Sequence, residues 1–571
     1  MCEVIVGIDF GSSGTGYAFS YKNPKEIEMG VFPEQGTEGK VPTEIILSSK
    51  FDILAFGEEC SQYIISGQLK YGDLYFRRIK MNLYNNQFNI KPENNPQSYP
   101  LVQIITKVLE YVKKVAISKI HENRDYITEE KIKWVVTVPA IWNEKQKGIM
   151  IEACEKAKLF NQNTNRSNFF ALEPEAASLY CSQNEGIDQD CIMPGKTYII
   201  CDLGGGTGDI VTHNKNKENI INEKYQAIGG DYGSDEIDKE IFNKLIEKIF
   251  GFKDYNSLKK KNEELGFPWK EDELYCEWFN LAKEIQNKKK ITLKTKDKEF
   301  TLNCQIFKDF TEIKFKDLVD KYNNNCKNKD WNVSMKNESR WILSCKNKIF
   351  FDLIKNQASK ISLDISKIYQ NVEEVESILY VGGYCSNEIV TDCIKKEFRF
   401  IKHHLKPSFP DRAVVKGAVL FGINPLIIKS RKAKYSIGIS TNSKYKEEIH
   451  GKLGVEKYID EEGVERCRNC FKLFIKIGEI ISIDDIRKHN FTMVGSRYIG
   501  LKFYKTSKPN PILCSEENVD LFGEDTFDLK NNYPKGERSF TVEMKFGGTF
   551  VVARCIHTKS GKSIEVPLYF K

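Results

Sequence analysis

The spacing of apolar residues divides the chain into two regions with different expected structure. Over roughly the first 425 residues, compact apolar runs alternate with stretches in which apolar residues recur at helical spacing. The runs predict buried β-strands and the spaced stretches predict amphipathic helices, a combination typical of the α/β class. The predicted strands are 4–9, 133–139 and 377–381, the predicted helices are 143–158, 236–250, 276–290 and 411–419, and 322–338 is a predicted loop.

Residues 434–571 follow a period-two pattern instead. Phe540, Val542, Met544 and Phe546 fall on one face of an extended chain, as a half-buried strand requires. The predicted strands here are 471–477, 497–504, 539–545 and 549–557. With 571 residues the chain is too long for a single hydrophobic core, so we predict a modular protein with a β-rich C-terminal part.

One strand-and-turn motif occurs twice. The first copy is VGIDFGSSGTG at 6–16, and the second is IICDLGGGTGD at 199–209. Each copy is an apolar strand that ends in aspartate, followed by a turn of small residues and a second strand, which predicts a β-hairpin. One glycine-rich turn alone is weak evidence of function, but two copies in the same order favour a shared role.

The residue types of this motif suit phosphate and metal binding. Glycine permits positive φ and removes side-chain bulk, so the backbone N–H groups of the turns can close around phosphate oxygens, and Ser12, Ser13 and Thr207 add hydroxyl donors. Asp9 and Asp202 can face each other and hold hydrated Mg²⁺. Neither copy continues as a Walker A loop or opens a helix in the dinucleotide manner. We therefore predict two halves that enclose one nucleotide.

Further candidate residues keep two interpretations each. Glu173 stands before Pro174 at a predicted helix start, where it either faces the cleft or complements the helix dipole. Gly382 and Gly383 end a predicted strand, where they either let the backbone approach a flat ring such as adenine or form a plain turn. Segment 229–235 is interpreted as a turn that leads into the next helix.

Composition narrows the function classes. The net charge is +7, but the lysine runs lie beside acids, so we expect no nucleic-acid partner. No apolar run reaches the length of a membrane span and no signal-peptide pattern opens the chain, so we expect a cytoplasmic protein without a span.

The 16 cysteines fit reduced thiols. Cys467 and Cys470 form a CxxC pair that we interpret as structural thiols, with half a zinc site or a redox pair as alternatives.

Taken in order, the motifs resemble the superfamily of actin, hexokinase and heat-shock chaperones, and within it the heat shock 70 kDa protein 12 family. They are VGIDFGSSGTGYAFSY, VVTVPAIW, LEPEAASLY, CDLGGGTGDIV, ILYVGGYCSNE and PDRAVVKGAVLFG, spread over roughly residues 1–425. The resemblance implies an actin-like ATPase fold with two lobes that duplicate a ribonuclease H-like core, at 1–190 and 191–428. A β-rich C-terminal domain at 429–571 also resembles this family.

The resemblance further implies a site for ATP or ADP with Mg²⁺. Asp9 and Asp202 would surround the metal, while Glu173, Asp209 and Lys80, together with Asp202, would act near the γ-phosphate and the attacking water. Arg78 is the alternative to Lys80. The residues implied in nucleotide binding are Gly11, Ser12, Ser13, Gly14, Gly204, Gly205, Gly206, Thr207, Gly229, Gly230, Glu284, Lys288, Gly382, Gly383 and Asp411. Within that set, the resemblance assigns Gly382 and Gly383 to adenosine and Glu284 and Lys288 to the ribose and base.

Three functions are compatible with such a site. The first is a chaperone-type ATPase that hydrolyses ATP slowly as its lobes close and binds client proteins through the C-terminal domain. The second is a nucleotide-gated interaction or signalling module with negligible hydrolysis; the lack of an acidic, leucine-rich linker after Gly422 and of a helical lid favours it. The third is a small-molecule kinase, for which no separate substrate-side aspartate is evident. We expect a monomer.

Overall fold

The computed structural model describes residues 2–33, 36, 38–160, 170–183, 187–217, 221–292, 298–425, 428–460, 462–482, 485–493, 495–546 and 551–568. Helices and strands alternate as far as residue 423, and strands predominate after it. The mixed α/β class predicted from the sequence is confirmed. Among the described residues, none of the helices combines the length and hydrophobicity that crossing a membrane requires.

The element bounds are as follows. The helices are α1 Glu58–Ile65, α2 Ile79–Tyr84, α3 Leu101–Asn123, α4 Glu144–Lys156, α5 Glu173–Cys181, α6 Asp235–Ile241, α7 Glu247–Phe250, α8 Tyr255–Glu264, α9 Glu271–Thr292, α10 Phe315–Asn325, α11 Lys348–Tyr369, α12 Glu388–Glu397, α13 Ala413–Ile423 and α14 Glu447–His450. The strands are β1 Val4–Phe10, β2 Gly14–Ser20, β3 Glu28–Met29, β4 Val41–Pro42, β5 Ile45–Leu47, β6 Ile53–Phe56, β7 Leu74–Phe76, β8 Asn89–Ile90, β9 Tyr99–Pro100, β10 Ile132–Val138, β11 Phe170–Leu172, β12 Thr197–Leu203, β13 Gly208–Lys215, β14 Ile221–Gly230, β15 Glu299–Asn303, β16 Val333–Asn337, β17 Ile342–Lys346, β18 Val375–Val381, β19 His403–Leu405, β20 Ile428–Lys432, β21 Ser436–Lys444, β22 Tyr458–Ile459, β23 Glu465–Ile475, β24 Ile480–Ser482, β25 Ile486–Thr492, β26 Tyr498–Thr506, β27 Val519–Asp528, β28 Ser539–Lys545, β29 Val552–His557 and β30 Ser563–Pro567.

The first sheet is built around the first motif. Its strand order is β11-β10-β1-β2-β3, with β4 also paired to β2. β1 is buried along its whole length, because Val6 and Ile8 belong to one apolar cluster and Ile5 belongs to another. It pairs in parallel with β10 and forms an antiparallel hairpin with β2. An apolar run of this kind is what a strand covered on both faces requires. The carboxyl end of β1 carries Asp9.

The second sheet repeats this arrangement around the second motif. Its order is β19-β18-β12-β13-β14-β20-β24. β12 is again fully buried, pairs in parallel with β18, and forms an antiparallel hairpin with β13 in which Asp202 lies opposite Asp209. Both predicted hairpins are confirmed, and the arrangement is compatible with an actin-like ATPase.

Helices α5 and α13 pack closely against each other beside the first sheet. A Cβ on Gly417 of α13 would lie 1.7 Å from the carbonyl oxygen of Ala176 in α5, and one on Gly7 of β1 would lie 2.8 Å from the carbonyl of Val415. Small residues therefore allow the backbones to approach. The helix predicted at 411–419 is present as α13, which begins at Ala413 after a 3₁₀ turn at Pro410–Arg412.

Most other predicted elements of this region are present, but the loop predicted at 322–338 is wrong. Helix α4 begins after Asn143, which forms a capping box with Gln146. The helix predicted at 236–250 consists of α6 and α7 joined by a π-turn at Phe242–Ile246. Segment 322–338 holds the end of α10 and strand β16. An Asn-rich composition is typical of loops, but here Asn323 holds β16 in place. Its side-chain amide donates a hydrogen bond to the carbonyl of Val333 and accepts one from the N–H of Val333.

The C-terminal strands form two sheets that share one hydrophobic core. The orders are β22-β23-β21-β26-β27 and β25-β28-β29-β30. All four predicted strands are present, although residues 549 and 550 lie outside the described part of the chain. The residues predicted to share one face, Phe540, Val542, Met544 and Phe546, are all buried in this core.

Strand β20 connects the second sheet to the C-terminal region. It pairs in parallel with β14, and β24, from within the C-terminal region, pairs with it on the other side. The boundary predicted between 428 and 429 therefore falls at the start of a strand that extends the second sheet. Residues 480–482, predicted to lie in the C-terminal domain, also belong to this sheet.

Candidate functional site

The turns of the two matching hairpins meet at one cavity of about 260 Å³. Ser13 Oγ in the first turn donates a hydrogen bond to Asp235 Oδ2 at 2.5 Å, and the backbone N–H of Asp235 donates to the carbonyl of Gly205 in the second turn at 2.7 Å. A Cβ on Gly205 would lie 1.7 Å from Ser13 Oγ. Only glycine lets the two turns approach this closely.

Most residues predicted from the sequence line this cavity together. They are Asp9, Gly11, Ser12, Ser13, Gly14, Lys80, Glu173, Asp202, Gly204, Gly205, Thr207, Asp209, Gly382, Gly383 and Asp411. The carboxyl groups outnumber the ammonium groups, since five acids share the cavity with Lys80 and Lys40. Carboxylate oxygens are the donors that Mg²⁺ prefers, so the donor set fits this cation.

Both lysines are paired with acids of the cavity. Lys80 forms an ion pair with Glu173, and Lys40 forms one with Asp9. Asp9 also accepts a hydrogen bond from Thr137 Oγ1 at 3.3 Å. Glu173 is thus both the first residue of α5 and a cavity residue, so the two interpretations of this residue are compatible.

Burial and mutual repulsion raise the pKa values of three cavity carboxyls, Asp202, Glu173 and Asp209. Burial, then the nearby charges of Glu173 and Asp209, raise the pKa of Asp202 well above its ordinary value. Burial also raises the pKa of Glu173, although Lys80 opposes this shift. Without a further cation these groups hold protons more readily than free carboxyls do, which is the expected property of a site built for added positive charge.

Asp209 is a cavity carboxyl whose two oxygens have different surroundings. Its Oδ2 accepts a hydrogen bond from the backbone N–H of Ala140 at 3.1 Å. Its Oδ1 is buried and has no hydrogen-bond partner within the described chain. Burial, followed by repulsion from Glu173, raises the pKa of Asp209 to about 7. Buried polar atoms are rarely left unpaired, so this oxygen marks a position for a water or ligand atom.

The raised pKa of Asp209 predicts how stability depends on pH. Because the pKa is about 7 in the folded chain against an ordinary 3.8, the folded state binds the proton more tightly. This stabilisation is complete below about pH 4 and is lost as pH rises through 7. Between about pH 4 and pH 7, this group makes the free energy of unfolding of the nucleotide-free wild type fall by about 1.4 kcal/mol per pH unit. Asp209→Asn lacks the group, so we expect its free energy of unfolding to fall less steeply by this amount. Urea unfolding at several pH values measures both slopes.

The control for this prediction is Asp125→Asn, which alters an exposed carboxyl. Its unfolding free energy is expected to follow the wild-type pH curve. Parallel curves for Asp209→Asn and the wild type would contradict the assignment.

Lys40 is a cavity residue that sequence reasoning missed. Gly14 pairs with Pro42 across β2 and β4, and this register lays the lysine stem along β2, where a Cβ on Gly16 would lie 2.8 Å from Lys40 Cγ. Burial opposes its charge, but Asp9, Asp202 and Asp411 together raise the pKa of Lys40. The one indication of this contact in the sequence is Gly16, because glycine at this position leaves room for the Lys40 side chain.

The two candidates for the phosphate-side cation lie in different places. Lys80 lines the cavity between the hairpins, whereas Arg78 lines a separate cavity with Arg77 and Met81. Arg78 adopts φ of 52° as the residue before α2, and this turn directs the next residues of the helix inward. Lys80 is therefore the better placed of the two.

The Gly382 turn lies directly beside Asp202. Gly382 has φ of 86°, and a Cβ there would lie 2.6 Å from Asp202 Oδ1 and 2.3 Å from the carbonyl oxygen of Leu203. Its N–H donates to the carbonyl of Pro410 at 2.8 Å. Gly383, in contrast, has open space at its Cβ position. Glycine is thus required at 382 by both conformation and proximity.

Five predicted residues do not line the cavity. Gly206 packs against Met81 behind the second turn. Gly229 and Gly230 end β14, where Gly229 lets the backbone pass next to Asp209. Glu284 accepts a hydrogen bond from the N–H of Asn303 at 2.9 Å, and Lys288 lies on the same helix, α9. Their roles toward nucleotide stay predictions.

The neighbouring lysine contacts the cavity wall instead of Lys288. Lys289 donates to the carbonyl of Ser234 at 2.7 Å and pairs with Asp238 at 2.8 Å, and Ser234 lines the cavity. Sequence periodicity could not distinguish adjacent lysines in the run at 288–290, because the choice depends on how α9 is rotated.

The segment after α13 contacts the first sheet's helix as well as the second sheet. Arg431 of β20 donates from Nε and Nη2 to the two carboxylate oxygens of Glu175 in α5, each at 2.7 Å. Lys434 bonds the carbonyl of Ala140, whose N–H bonds Asp209. Ala140 therefore connects the C-terminal segment to the cavity carboxyl of Asp209 through its two backbone groups. Composition alone, which shows no coupling linker here, does not reveal these contacts.

Comparison with known proteins supports the motif-based resemblance. No protein-family model matches the chain. The chain is 25% identical to heat shock 70 kDa protein 12A of Homo sapiens, and equally to that of Mus musculus, over 644 residues that cover 99% of this chain and 91% of the relative. It is 22% identical to heat shock 70 kDa protein 12B of Homo sapiens over 645 residues, which cover 100% of this chain and 91% of the relative. The predicted resemblance is confirmed.

Proposed function

Because the chain resembles heat shock 70 kDa protein 12 over nearly its full length, we propose that it binds ATP with Mg²⁺ between two lobes and hydrolyses it slowly. Residues 1–190 and 191–428 would form the lobes of an actin-like ATPase. The observation that carries this proposal is the meeting of two matched hairpin turns at one cavity lined by carboxyls and glycines. Lobe closure and opening would accompany the nucleotide cycle.

The cavity residues divide into distinct roles under this proposal. Asp9 and Asp202 present carboxylate oxygens for Mg²⁺, which when bound neutralises phosphate charge. Lys80 lies on the cavity wall with its ammonium held by Glu173, where it can contact a phosphate oxygen. Asp209 offers the unpartnered Oδ1, which can accept a hydrogen bond from water and hold its proton.

The test is calorimetric titration of the full chain with ADP and ATP, with and without Mg²⁺. We expect saturable binding that Mg²⁺ strengthens in the wild type and much less in Asp9→Asn. Asp125→Asn, at an exposed position, serves as the matched control and should bind as the wild type does. A folded wild-type chain that binds neither nucleotide would contradict the proposal.

A nucleotide-gated interaction module is the second candidate. The outer face of the four-stranded sheet favours it, since its exposed and half-exposed positions are mostly polar, including Lys488, Asn490, Glu543 and Arg554. A polar face fits a folded signalling partner better than an apolar client segment. Partners would then contact the C-terminal domain and respond to the nucleotide state of the lobes.

Single-turnover hydrolysis of labelled ATP separates the two candidates. The ATPase proposal expects a wild-type rate well above that of Asp202→Asn, because this substitution removes a carboxylate from the cavity. Equal rates, together with retained ATP binding, would instead favour the interaction module.

Lys40→Met is expected to make ADP binding more dependent on Mg²⁺. Lys40 contacts Asp9 Oδ2 and supplies positive charge of its own, so its removal frees this oxygen for the metal and weakens Mg²⁺-free binding. A charge-assisted contact of this kind contributes about 1.5–3 kcal/mol. The ratio of the ADP dissociation constants without and with Mg²⁺ should therefore rise at least about tenfold, as measured by calorimetry.

Lys50→Met, at an exposed lysine, is the control and should leave this ratio unchanged. An unchanged ratio in Lys40→Met as well would mean that Lys40 does not influence the metal site.

A further inference from the structure

The C-terminal region holds a compact group of metal-ligand residues that the nucleotide site does not use. His450, Cys467 and Cys470 each offer one ligand atom, and these atoms all lie within 4.8 Å of one another. All three side chains are buried, and the two Sγ atoms are 2.9 Å apart. Its two cysteines form the CxxC motif, which the sequence alone does not assign to structural thiols, a zinc site or a redox pair.

Strand β23 is distorted in the way that brings the two sulfurs together. Residues three apart on a regular strand point to opposite faces. Here Cys467 pairs with Ser443 and Cys470 pairs with Thr441, so β23 carries one residue more than its partner between these pairs. Asn469 takes up this extra residue with φ of 57°. The resulting bulge turns both thiols inward.

His450 reaches the thiols from a long excursion between strands β21 and β23. The described residues of this excursion, 445–460 and 462–464, contain only α14, a 3₁₀ turn and the two-residue strand β22. The local apolar cluster is small and consists of Cys467, Cys470 and Leu513 with Tyr445 and Val455 packed beside it. Because this cluster buries little apolar surface, it stabilises an excursion of this length only weakly. A further crosslink would therefore add stability here.

We propose that His450, Cys467 and Cys470 bind a structural zinc ion that fastens the excursion 445–464 to β23. Imidazole and thiolate are the ligands that zinc prefers. Two thiolates and a neutral imidazole balance the charge of Zn²⁺, so the complex can be buried without excess charge. Two protons leave the thiols as the metal binds, and a water or another donor fills the fourth position.

The rearrangement that zinc binding requires costs little free energy compared with the free energy of zinc binding itself. Tetrahedral ligands at zinc lie about 3.8 Å apart for two sulfurs, so the present 2.9 Å must widen by side-chain rotation. The N–H of Lys446 also donates to His450 Nδ1 at 2.9 Å, and ligation by this ring costs that bond. One neutral hydrogen bond is a small loss compared with the free energy that binding of a structural zinc ion supplies.

The test measures metal in the full-length protein after expression with added zinc and purification in a phosphine reductant without chelator. We expect about one zinc per chain in the wild type and a near-complete loss in Cys467→Ser and Cys470→Ser. Cys555→Ser, which alters an equally buried cysteine in the other sheet of this region, is the matched control and should keep its zinc. Cobalt substitution should give a thiolate-to-cobalt absorption band that both cluster variants lack.

A second readout keeps the test valid where a variant folds poorly. Limited proteolysis of the wild type should cut within 445–464 only after zinc is removed by a chelator, while the remaining chain stays resistant. Three outcomes would overturn the proposal: a folded wild type that carries no zinc after expression with added zinc and purification without chelator, zinc that persists in both cluster variants, or a mass two hydrogens lower that shows a Cys467–Cys470 disulfide under reducing conditions. This inference is independent of the proposed nucleotide site, since it rests on separate residues.

Discussion

Arg431→Met is expected to lower the free energy of unfolding by about 3–5 kcal/mol. The guanidinium donates to both carboxylate oxygens of Glu175, and both side chains are buried. Without the guanidinium, the buried Glu175 carboxyl group would lose its ion-pair partner, so the cost of its desolvation would no longer be compensated. Because the pair joins β20 to α5, we also expect the C-terminal region to separate from the rest of the chain at lower denaturant concentration.

Urea unfolding at pH 7 measures this loss. Arg497→Met is the matched control, because Arg497 pairs with Asp528 in a partly exposed position, where solvent weakens an ion pair. The double variant Glu175→Leu, Arg431→Met should recover most of the stability, since it buries no charge. A loss in Arg431→Met no larger than in Arg497→Met would show that Glu175 is hydrated or otherwise neutralised.

Gly205→Ala is expected to weaken ADP binding by about ten- to a hundredfold, which corresponds to roughly 1.4–2.8 kcal/mol. The added Cβ would lie 1.7 Å from Ser13 Oγ and 2.3 Å from Ser13 Cβ. Since Ser13 is short and belongs to the other hairpin turn, one turn must move away from the other. We expect the turns then to fail to contact the same phosphate groups. Calorimetric titration with ADP and Mg²⁺ measures the loss.

Gly383→Ala is the control for this prediction. Gly383 lines the same cavity, but nothing lies within 4 Å of the Cβ that alanine would add. We expect its ADP affinity to stay within about twofold of the wild type. If both alanine variants bound ADP equally well, close contact between the turns would not matter for binding.

The parts of the fold that sequence predicts correctly are those set by local pattern. Both hairpins follow from apolar runs that end in aspartate and glycine, and α4 follows from helical spacing after the Asn143 cap. These signals are local because the spacing of apolar residues within each strand or helix decides which of its faces is buried. The same reasoning fails at 322–338, where an amide-rich composition is typical of loops but Asn323 holds β16 in place.

The parts of the site that sequence does not predict depend on contacts between distant segments. Lys40 reaches Asp9 only because β4 pairs with β2 in one particular register. Lys289, rather than Lys288, faces Ser234 because of the rotation of α9. Arg431 finds Glu175 more than 250 residues away along the chain. Neither composition nor periodicity carries information on such pairings.

The extension of the second sheet by β20 and β24 limits how the chain can be divided. Cutting after residue 428 would remove both strands and leave β14 as an open edge with unsatisfied backbone groups. Exposed edges of this kind recruit other chains and promote aggregation. Residues 1–428 would therefore be difficult to prepare as a soluble fragment. A fragment that includes β20 would still lack the outer neighbour of that strand, which lies 48 residues or more further along the sequence.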